Sequence, residues 1–290
     1  MKSYLDCFSC LLSQATDVAQ LTTDSEKVQR QIINKVLQIL YKSSLNVSPP
    51  EISQKVYSAI REITGIDDPY YQAKQVQNKT VISFVDEIKA MISSAEDPLF
   101  FSLKLAIAGN NIDLGIRQKL NDIKATIMDA VNTRLSINDY SFFKKNLRHV
   151  KKLLYLGDNA GEIVFDKLSI EQIKENYQIR VYYVVRGAPI INDVTLEDAA
   201  FVGMEEVAEV VSNEFDAPGT ILPKVSNRIR QLLSESDMII SKGQGNYESL
   251  SSLEKNIFFL LKAKCGIVAR DIGAAEGDLI LKSQIKNSMG

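Results

Sequence analysis

The chain has 290 residues, 45% of them hydrophobic and 24% charged, with 34 basic against 36 acidic side chains. That is enough apolar material for one large globular domain or two small ones, with no need of disulfides. A near-neutral balance without a basic block argues against a nucleic-acid surface, and no apolar run approaches the roughly 20 residues of a membrane span.

The opening Met1-Lys2-Ser3-Tyr4-Leu5-Asp6-Cys7 lacks the apolar core of a signal peptide, so a cytoplasmic location is expected. Val28, Ile32, Ile33, Val36, Leu37, Ile39 and Leu40 recur at helical spacing, with N-cap candidates in Thr23-Asp24-Ser25. Val47-Ser48-Pro49-Pro50 breaks that helix, and Glu51 to Thr64 reads as the next, closed by Gly65 where a C-cap glycine belongs. Asp67-Asp68-Pro69-Tyr70 opens a long helical stretch to about Ser94, and Asp97-Pro98 restarts the pattern with Leu99, Leu103 and Ile107 on one face. Ala108-Gly109-Asn110-Asn111-Ile112-Asp113 interrupts it, and helical spacing resumes from about Arg117 to Arg134.

The texture then changes. Five short apolar runs alternate with helical segments: Lys152–Leu156, Arg180–Val185, Glu206–Val211, Asp237–Ser241 and Gly266–Arg270. Such alternation implies βαβ units with right-handed crossovers, and so puts the carboxyl ends of the strands on one edge of a mostly parallel sheet. The fold class predicted is α/β: a helical N-terminal region, residues 1–116, packed on an α/β/α sandwich core of Rossmann-like type, residues 117–290.

Chemistry collects at the predicted strand ends. The first run delivers Asp158 and Asn159, hard oxygen ligands suited to a divalent ion, ahead of Gly161 and a helix start. The same pair would also serve as a turn and N-cap. The second run is followed by Arg186, a fork for phosphate, and by Asp193, 35 residues after Asp158, a sensible βαβ interval that lets both carboxylates meet one metal. The third is followed by Asp216-Ala217-Pro218-Gly219-Thr220, read as a loop. The fourth ends in Lys242-Gly243-Gln244-Gly245-Asn246: glycines that expose N–H groups and a lysine read as a point charge at the loop mouth, suited to a phosphoryl group. It lacks the order of a Walker A loop. Lys264 borders the fifth run and adds a second cation. Asn110, Asn111 and Asp113 are candidate pocket-lining residues, with a polar helix-to-loop joint as their other role.

Other chemistries fit less well. His149 is the single histidine and precedes the first strand, at the wrong edge for the site, and no GxSxG elbow is present. The odd count of three cysteines, Cys7, Cys10 and Cys265, argues against a disulfide framework. The Cys7-Phe8-Ser9-Cys10 spacing leaves three readings open: a structural or site-lining pair, a metal site needing further ligands from Cys265 or His149, or a redox pair without the strand that usually precedes one.

Together, Gly157-Asp158-Asn159-Ala160-Gly161-Glu162, Arg186-Gly187-Ala188-Pro189-Ile190-Ile191-Asn192-Asp193-Val194-Thr195 and Lys242-Gly243-Gln244-Gly245-Asn246-Tyr247-Glu248 resemble the DUF89 family, the damage-control or ARMT1-like phosphatases. Cys7-Phe8-Ser9-Cys10, Asp68-Pro69-Tyr70 and Ala108-Gly109-Asn110-Asn111-Ile112-Asp113 extend the resemblance over nearly the whole chain, in the pattern of the compact microbial branch. It implies a metal-dependent phosphatase of small phosphomonoesters, either sugar phosphates or damaged phosphometabolites. It implies Mg²⁺, Mn²⁺, Co²⁺ or Ni²⁺ on Asp158, Asn159 and Asp193, and substrate contacts from Lys242, Gly243, Gly245, Asn246 and Lys264. The eukaryotic branch's Arg-Thr-x-Lys motif is absent.

The catalytic set expected is Asp158, Asp193 and Lys242, with a metal-bound water or an Asp carboxylate as the attacking group. The expected partner is a small phosphate ester, with neither nucleic acid nor membrane. The competing readings are a non-catalytic phosphometabolite- or nucleotide-binding α/β protein, and a redox or metal-handling protein built on Cys7 and Cys10.

Overall fold

Two alternating sets of apolar side chains run along the central strands, and each buries against its own layer of helices. The computed structural model describes residues 1–109 and 120–285. Six helices come first: α1 (Leu5–Thr22), α2 (Glu26–Lys42), α3 (Pro49–Thr64), α4 (Tyr71–Ile82), α5 (Val85–Ser93) and α6 (Pro98–Ala108). Next come α7 (Leu120–Asn132), β1 (Leu135–Asn138), α8 (Tyr140–Leu147), β2 (Lys152–Leu156), α9 (Glu162–Asn176), β3 (Arg180–Val185) and α10 (Leu196–Phe201). The chain then runs through β4 (Glu209–Ser212), α11 (Asn227–Glu235), β5 (Met238–Lys242), α12 (Gly243–Leu250), β6 (Ile257–Lys262), α13 (Gly266–Ile272) and β7 (Leu279–Ser283).

The seven strands form one sheet in the order β1-β7-β6-β5-β2-β3-β4. β4, β3, β2, β5 and β6 are mutually parallel; β7 is antiparallel to β6, and β1 runs with β7. From β2 the chain moves outward through β3 and β4, then returns to lay β5 on the other side of β2. The order therefore reverses between β2 and β5, and the crevice beyond their carboxyl ends is where open α/β sheets bind ligands.

Period-2 patterning sorts the strand side chains. Leu153, Tyr155, Val181, Tyr183, Ile240 and Phe258 pack with α6, α8 and α9, while Leu154, Leu156, Tyr182, Val184, Ile239 and Phe259 pack with α11, α12 and α13. The expected three-layer sandwich is thus present, each fully buried aliphatic side chain contributing about 1.5–3 kcal/mol. α1, α2 and α3 form a further cluster through Val18, Val36, Val56 and Ile60, and Ile190 from the loop after β3 inserts into it. A buried polar joint ties α4 to the core: Lys74 lies 3.0 Å from Asp198, and Asn78 accepts the Gly161 N–H at 2.7 Å. The boundary expected at residues 116/117 lies outside the described residues; among those described, α6 shares a core cluster with β2 and α9. No described helix is long and apolar enough to cross a membrane.

Local signals hold where capping chemistry is explicit. Ser48 and Glu51 close a capping box on α3, whose first two positions are prolines, and Gly65 ends it at φ +69°. Asp97 caps α6 by accepting the Phe100 N–H at 3.1 Å. The long stretch expected from Asp67 to Ser94 is divided, because Phe84 N–H bonds the Val81 carbonyl and tightens the last turn of α4.

One strand assignment is corrected. Gly266–Arg270 is helical, within α13, with Cys265 at its N-cap, Gly273 at its C-cap and Val268, Ala269 and Ile272 buried on one helical face. The fifth parallel strand is Ile257–Lys262, whose Ile-Phe-Phe-Leu-Leu run is buried on both faces and so carries no alternation. β4 also starts later than its apolar run, because Met204–Glu206 form a 3-10 turn.

Candidate functional site

The loops leaving β2 and β3 are stitched by backbone bonds. Val194 N–H donates to the Asp158 carbonyl and Ala160 N–H to the Asn192 carbonyl, both at 2.9 Å, and Asn159 and Asp193 form an antiparallel bridge. Asp158, Asn159 and Asp193 therefore meet at the switch point. Ile191, two residues before Asp193, sits at φ +47°. For a β-branched residue that conformation costs about 1–3 kcal/mol, and such strain clusters at functional loops.

Beneath them lies a buried ionic network. Asp158, Glu162, Asp166 and Asp193 are all buried, against only two buried cations, Arg186 and Lys242. Arg186 Nε donates to Asp193 Oδ2 at 2.6 Å and its Nη1 to Asn246 Oδ1 at 3.3 Å; Nη2 has no hydrogen bond and stands 3.9 Å from Asp158 Oδ1. Lys242 Nζ bridges Glu162 Oε2 at 3.0 Å and Asp166 Oδ1 at 2.7 Å. Asp166 also accepts the Tyr155 and Tyr183 hydroxyls, each at 2.8 Å.

Burial, then repulsion from Glu162 and Asp193, pushes the Asp158 carboxyl up to about 8, against the pull of Lys264 and Arg186. Burial also raises Asp193 despite its Arg186 partner, and Asp166 despite Lys242. For Lys242 burial acts downward, but Asp166 and Glu162 outweigh it and hold the ammonium above its ordinary value.

Two of the four carboxyl groups are thus left without a buried cation, so a proton or a further cation has to balance them. The Asn159 amide nitrogen donates to Asp158 Oδ2 at 2.7 Å and Glu162 Oε1 at 2.9 Å, which fixes the amide and leaves its oxygen to face a ligand. Among the described residues no group of three or more His, Cys, Asp or Glu is arranged to hold a metal ion. The available set is two carboxyl groups and one amide oxygen, and this hard oxygen set, two acids in excess of its cations, fits a divalent cation.

Above the cluster opens a cavity of about 610 Å³, lined among others by Asp158, Asn159, Asp193, Gly245, Lys264, Cys7, Cys10 and Cys265. Lys264 is exposed at its mouth, and its backbone N–H is held by Gln244 Oε1 at 2.9 Å.

Known proteins share this whole arrangement of chain. The family profile described as "Damage-control phosphatase ARMT1-like domain" matches residues 3–280. The chain belongs to the damage-control phosphatase ARMT1-like family, DUF89. A damage-control phosphatase of Archaeoglobus fulgidus is 36% identical over 282 residues, covering 95% of this chain and 97% of the relative. One from Pyrococcus horikoshii is 30% identical, covering 97% of each. An uncharacterized protein of Methanocaldococcus jannaschii is 36% identical over 288 residues, covering 95% of this chain and 93% of that one. The crystal structure of a DUF89 family protein from Pyrococcus horikoshii superposes with a TM-score of 0.93 at 30% identity, covering 98% and 99% of the two chains.

Within this DUF89 chain the expected site residues separate by depth. Asp158, Asn159, Asp193, Gly245 and Lys264 line the cavity. Gly243 packs beneath Asp158, where a Cβ would come within 2.0 Å of Oδ2. Lys242 is not at the loop mouth, and Arg186 is not an open phosphate fork. Both are at most 2% exposed, and their charge is spent on carboxylates that burial leaves in need of counter-ions. Asn246 is fully buried too: its amide nitrogen bonds the Gly157 and Lys242 carbonyls, and its oxygen accepts from Thr220 at 2.8 Å. Asn110, Asn111 and Asp113 lie outside the described residues.

The sequence reading missed Glu162 and Asp166. They stand at i and i+4 among Ile163, Val164 and Phe165 on a helix buried on most sides, so an acidic pair there demanded a buried cation. Tyr155 and Tyr183, inside fully apolar strands, were the second signal, since their hydroxyls need partners.

The three cysteines converge on the cavity wall. Cys7 Sγ accepts the Tyr4 N–H at 3.4 Å, Cys10 Sγ the Gln14 amide at 3.4 Å and Cys265 Sγ the Gln244 amide at 3.6 Å. Burial, with Glu248 and Cys265 nearby, pushes the Cys7 and Cys10 thiols up. The thiolate fraction at neutral pH is therefore below that of an ordinary cysteine. Alkylation of Cys10 by iodoacetamide is expected to keep accelerating above pH 9.0, the ordinary thiol value; a plateau reached below that pH would contradict it.

Proposed function

We propose that this protein is a divalent-metal-dependent phosphatase of small, damaged phosphometabolites. The observation that carries the reading is the cluster at the β2/β5 switch point: four buried carboxylates against two buried cations, with an amide oxygen free to bind, under a cavity with Lys264 at its mouth. The names of the Archaeoglobus and Pyrococcus relatives support the damage-control phosphatase part of this reading.

Asp158, Asn159 and Asp193 would hold the cation, which when bound would neutralise charge building on the phosphoryl oxygens. The rest falls to the chain itself. Lys264 draws the phosphate to the cavity and offsets its charge at the mouth. Arg186 holds Asp193, and Lys242 holds Glu162, which with Asp158 fixes the Asn159 amide. Asp158 Oδ1 and Asp193 Oδ1 make no hydrogen bond among the described residues, so these are the carboxylate oxygens open to the cation, and whichever is not spent on it would take a proton from an attacking water.

After EDTA treatment, p-nitrophenyl phosphate hydrolysis is expected to vanish and to return when single ions of Mg²⁺, Mn²⁺, Co²⁺ or Ni²⁺ are added back. Asp193→Ala should lower the restored kcat/KM by about 100-fold or more. Full turnover in the presence of EDTA, or full activity in the variant, would sink the metal reading. Absence of hydrolysis alongside measurable binding of phosphate esters would leave a binding protein instead.

A further inference from the structure

Hydrolysis of a phosphate ester needs a proton for the departing oxygen as well as an attacking water. The single histidine, His149, precedes β2 and so stands at the opposite edge of the sheet. Asp158 and Asp193 are given to the cation and the attacking water. Among the described residues the cavity has one further buried acid, Glu248, which is 8% exposed. Asp6 and Asp17 also line the cavity, but both are exposed.

Glu248 lies on α12, the helix that begins at Gly243 against the Asp158 carboxylate. It stands five residues further along, about 7.5 Å of helix rise. That is the span of a phosphoryl group and its ester oxygen. Glu248 Oε1 accepts the Gln244 amide at 2.9 Å, and the same amide lies 3.6 Å from Cys265 Sγ. Oε2 has no hydrogen bond among the described residues, and the carboxyl has no ion pair there. Asp193, by contrast, holds Arg186, and Glu162 and Asp166 share Lys242.

The groups around Glu248 leave it protonated. Cys7 and Cys10 face it from α1, and the Met1 ammonium lies 2.6 Å from its backbone carbonyl. α3 brings Pro49, Pro50, Ser53 and Tyr57 to the same cavity. β5 ends in Lys242, which is spent on other acids, and Lys264 and Cys265 follow β6. Burial pushes the Glu248 carboxyl up to about 7, against the pull of Gln244 and the Met1 ammonium. An acid that holds its proton near neutral pH and can also release it there is matched to proton donation. The neighbouring thiols of Cys7 and Cys10, raised above 9.0, are far weaker donors.

We infer that Glu248 is the general acid of the reaction, passing the proton on Oε2 to the ester oxygen as it leaves phosphorus. The inference rests on the phosphatase reading. The oxygen of water bonds to phosphorus, and its proton goes to the open oxygen of Asp158 or Asp193. The phosphorus–oxygen bond to the alcohol breaks, its electron pair stays on that oxygen, and the Glu248 proton joins it. A neutral alcohol and inorganic phosphate result. Solvent then takes the proton from the aspartate and restores the one on Glu248.

The test uses two aryl esters of similar shape, p-nitrophenyl and phenyl phosphate, with the best divalent ion present. Nitrophenolate leaves readily without a proton, whereas phenolate gains much from one. Glu248→Gln keeps the volume and an acceptor for Gln244. It is expected to lower kcat/KM for phenyl phosphate about 100-fold, through kcat, and that for p-nitrophenyl phosphate by less than about 3-fold. The wild type supplies a second readout that needs no variant. Its phenyl-to-nitrophenyl ratio of kcat/KM is expected to fall as pH rises through about 7, where Glu248 loses its proton. In Glu248→Gln the ratio should be low and flat with pH. Equal losses on both esters, a pH dependence that persists in the variant, or a wild-type ratio indifferent to pH would overturn the general acid while leaving the phosphatase reading intact. If the wild type cleaves neither ester with any ion, the phosphatase reading fails and takes this inference with it.

Discussion

Gly243→Ala is expected to reduce phosphatase turnover by about 100-fold or more while leaving the protein folded. Gly243 adopts φ +77°, and an added Cβ would lie 2.0 Å from Asp158 Oδ2 and 2.2 Å from its Cγ. The left-handed backbone alone costs a non-glycine residue about 1–2 kcal/mol. The clash is the larger matter, because the carboxylate at the switch point has to move. Gly65→Ala supplies the control: φ is +69°, nothing lies within 4 Å of the added Cβ, and the position does not line the cavity. That variant should show the backbone cost in thermal melting and no loss of kcat/KM. If the two alanine variants lose activity to the same degree, the close approach of Gly243 to Asp158 is not what places the carboxylate.

Lys242→Met should destabilise the protein by about 3–5 kcal/mol, the typical cost of stranding buried charge. The ammonium is 1% exposed and is shared by Glu162 and Asp166, which lie on the helix that follows the Asp158-Asn159 turn. Its removal leaves two buried carboxylates without a counter-ion. Methionine fills the volume, so packing loss is small and the change reports charge. A melting point lowered by on the order of 10 °C is expected. Adding Asp166→Asn should recover part of the loss, since the two positions are in direct contact. Had Lys242 stood at the loop mouth as a phosphate contact, the single variant would lose activity and keep its melting point. That outcome would refute the buried-bridge account.

The contrast between these two residues locates what could be read early. Glycine at 243 was legible as a glycine-rich loop after an apolar run, because loop chemistry is local and the residue type announces it. The depth of Lys242 was not. A lysine reads as solvated unless the acids that bury it are known, and Glu162 and Asp166 come from a segment about 80 residues earlier. Arg186 was misread for the same reason: its fork suits phosphate and carboxylate equally, and Asp193 reaches it first.

The exchanged strand is a related case. Ile257–Lys262 has no alternation because helices cover both faces, and Gly266–Arg270 mimics a short apolar strand although its buried side chains follow helical spacing. Lys264 keeps its place at the carboxyl edge despite that error, since it follows β6, which is parallel to β5.

By itself the sequence determined the α/β class, the capped helices of the N-terminal region and the meeting of Asp158, Asn159 and Asp193. Each rests on short-range periodicity, capping chemistry, or the rule that parallel strands present their carboxyl ends together. Only the tertiary structure decided which cations are buried counter-ions and which face the cavity. Only it brought side chains of α1 and α3, Gln14, Ser53 and Tyr57, to the wall of the cavity that Asp158 and Asp193 also line. Charge compensation and cavity shape depend on which distant segments share a low-dielectric space, and no local pattern in the chain encodes that.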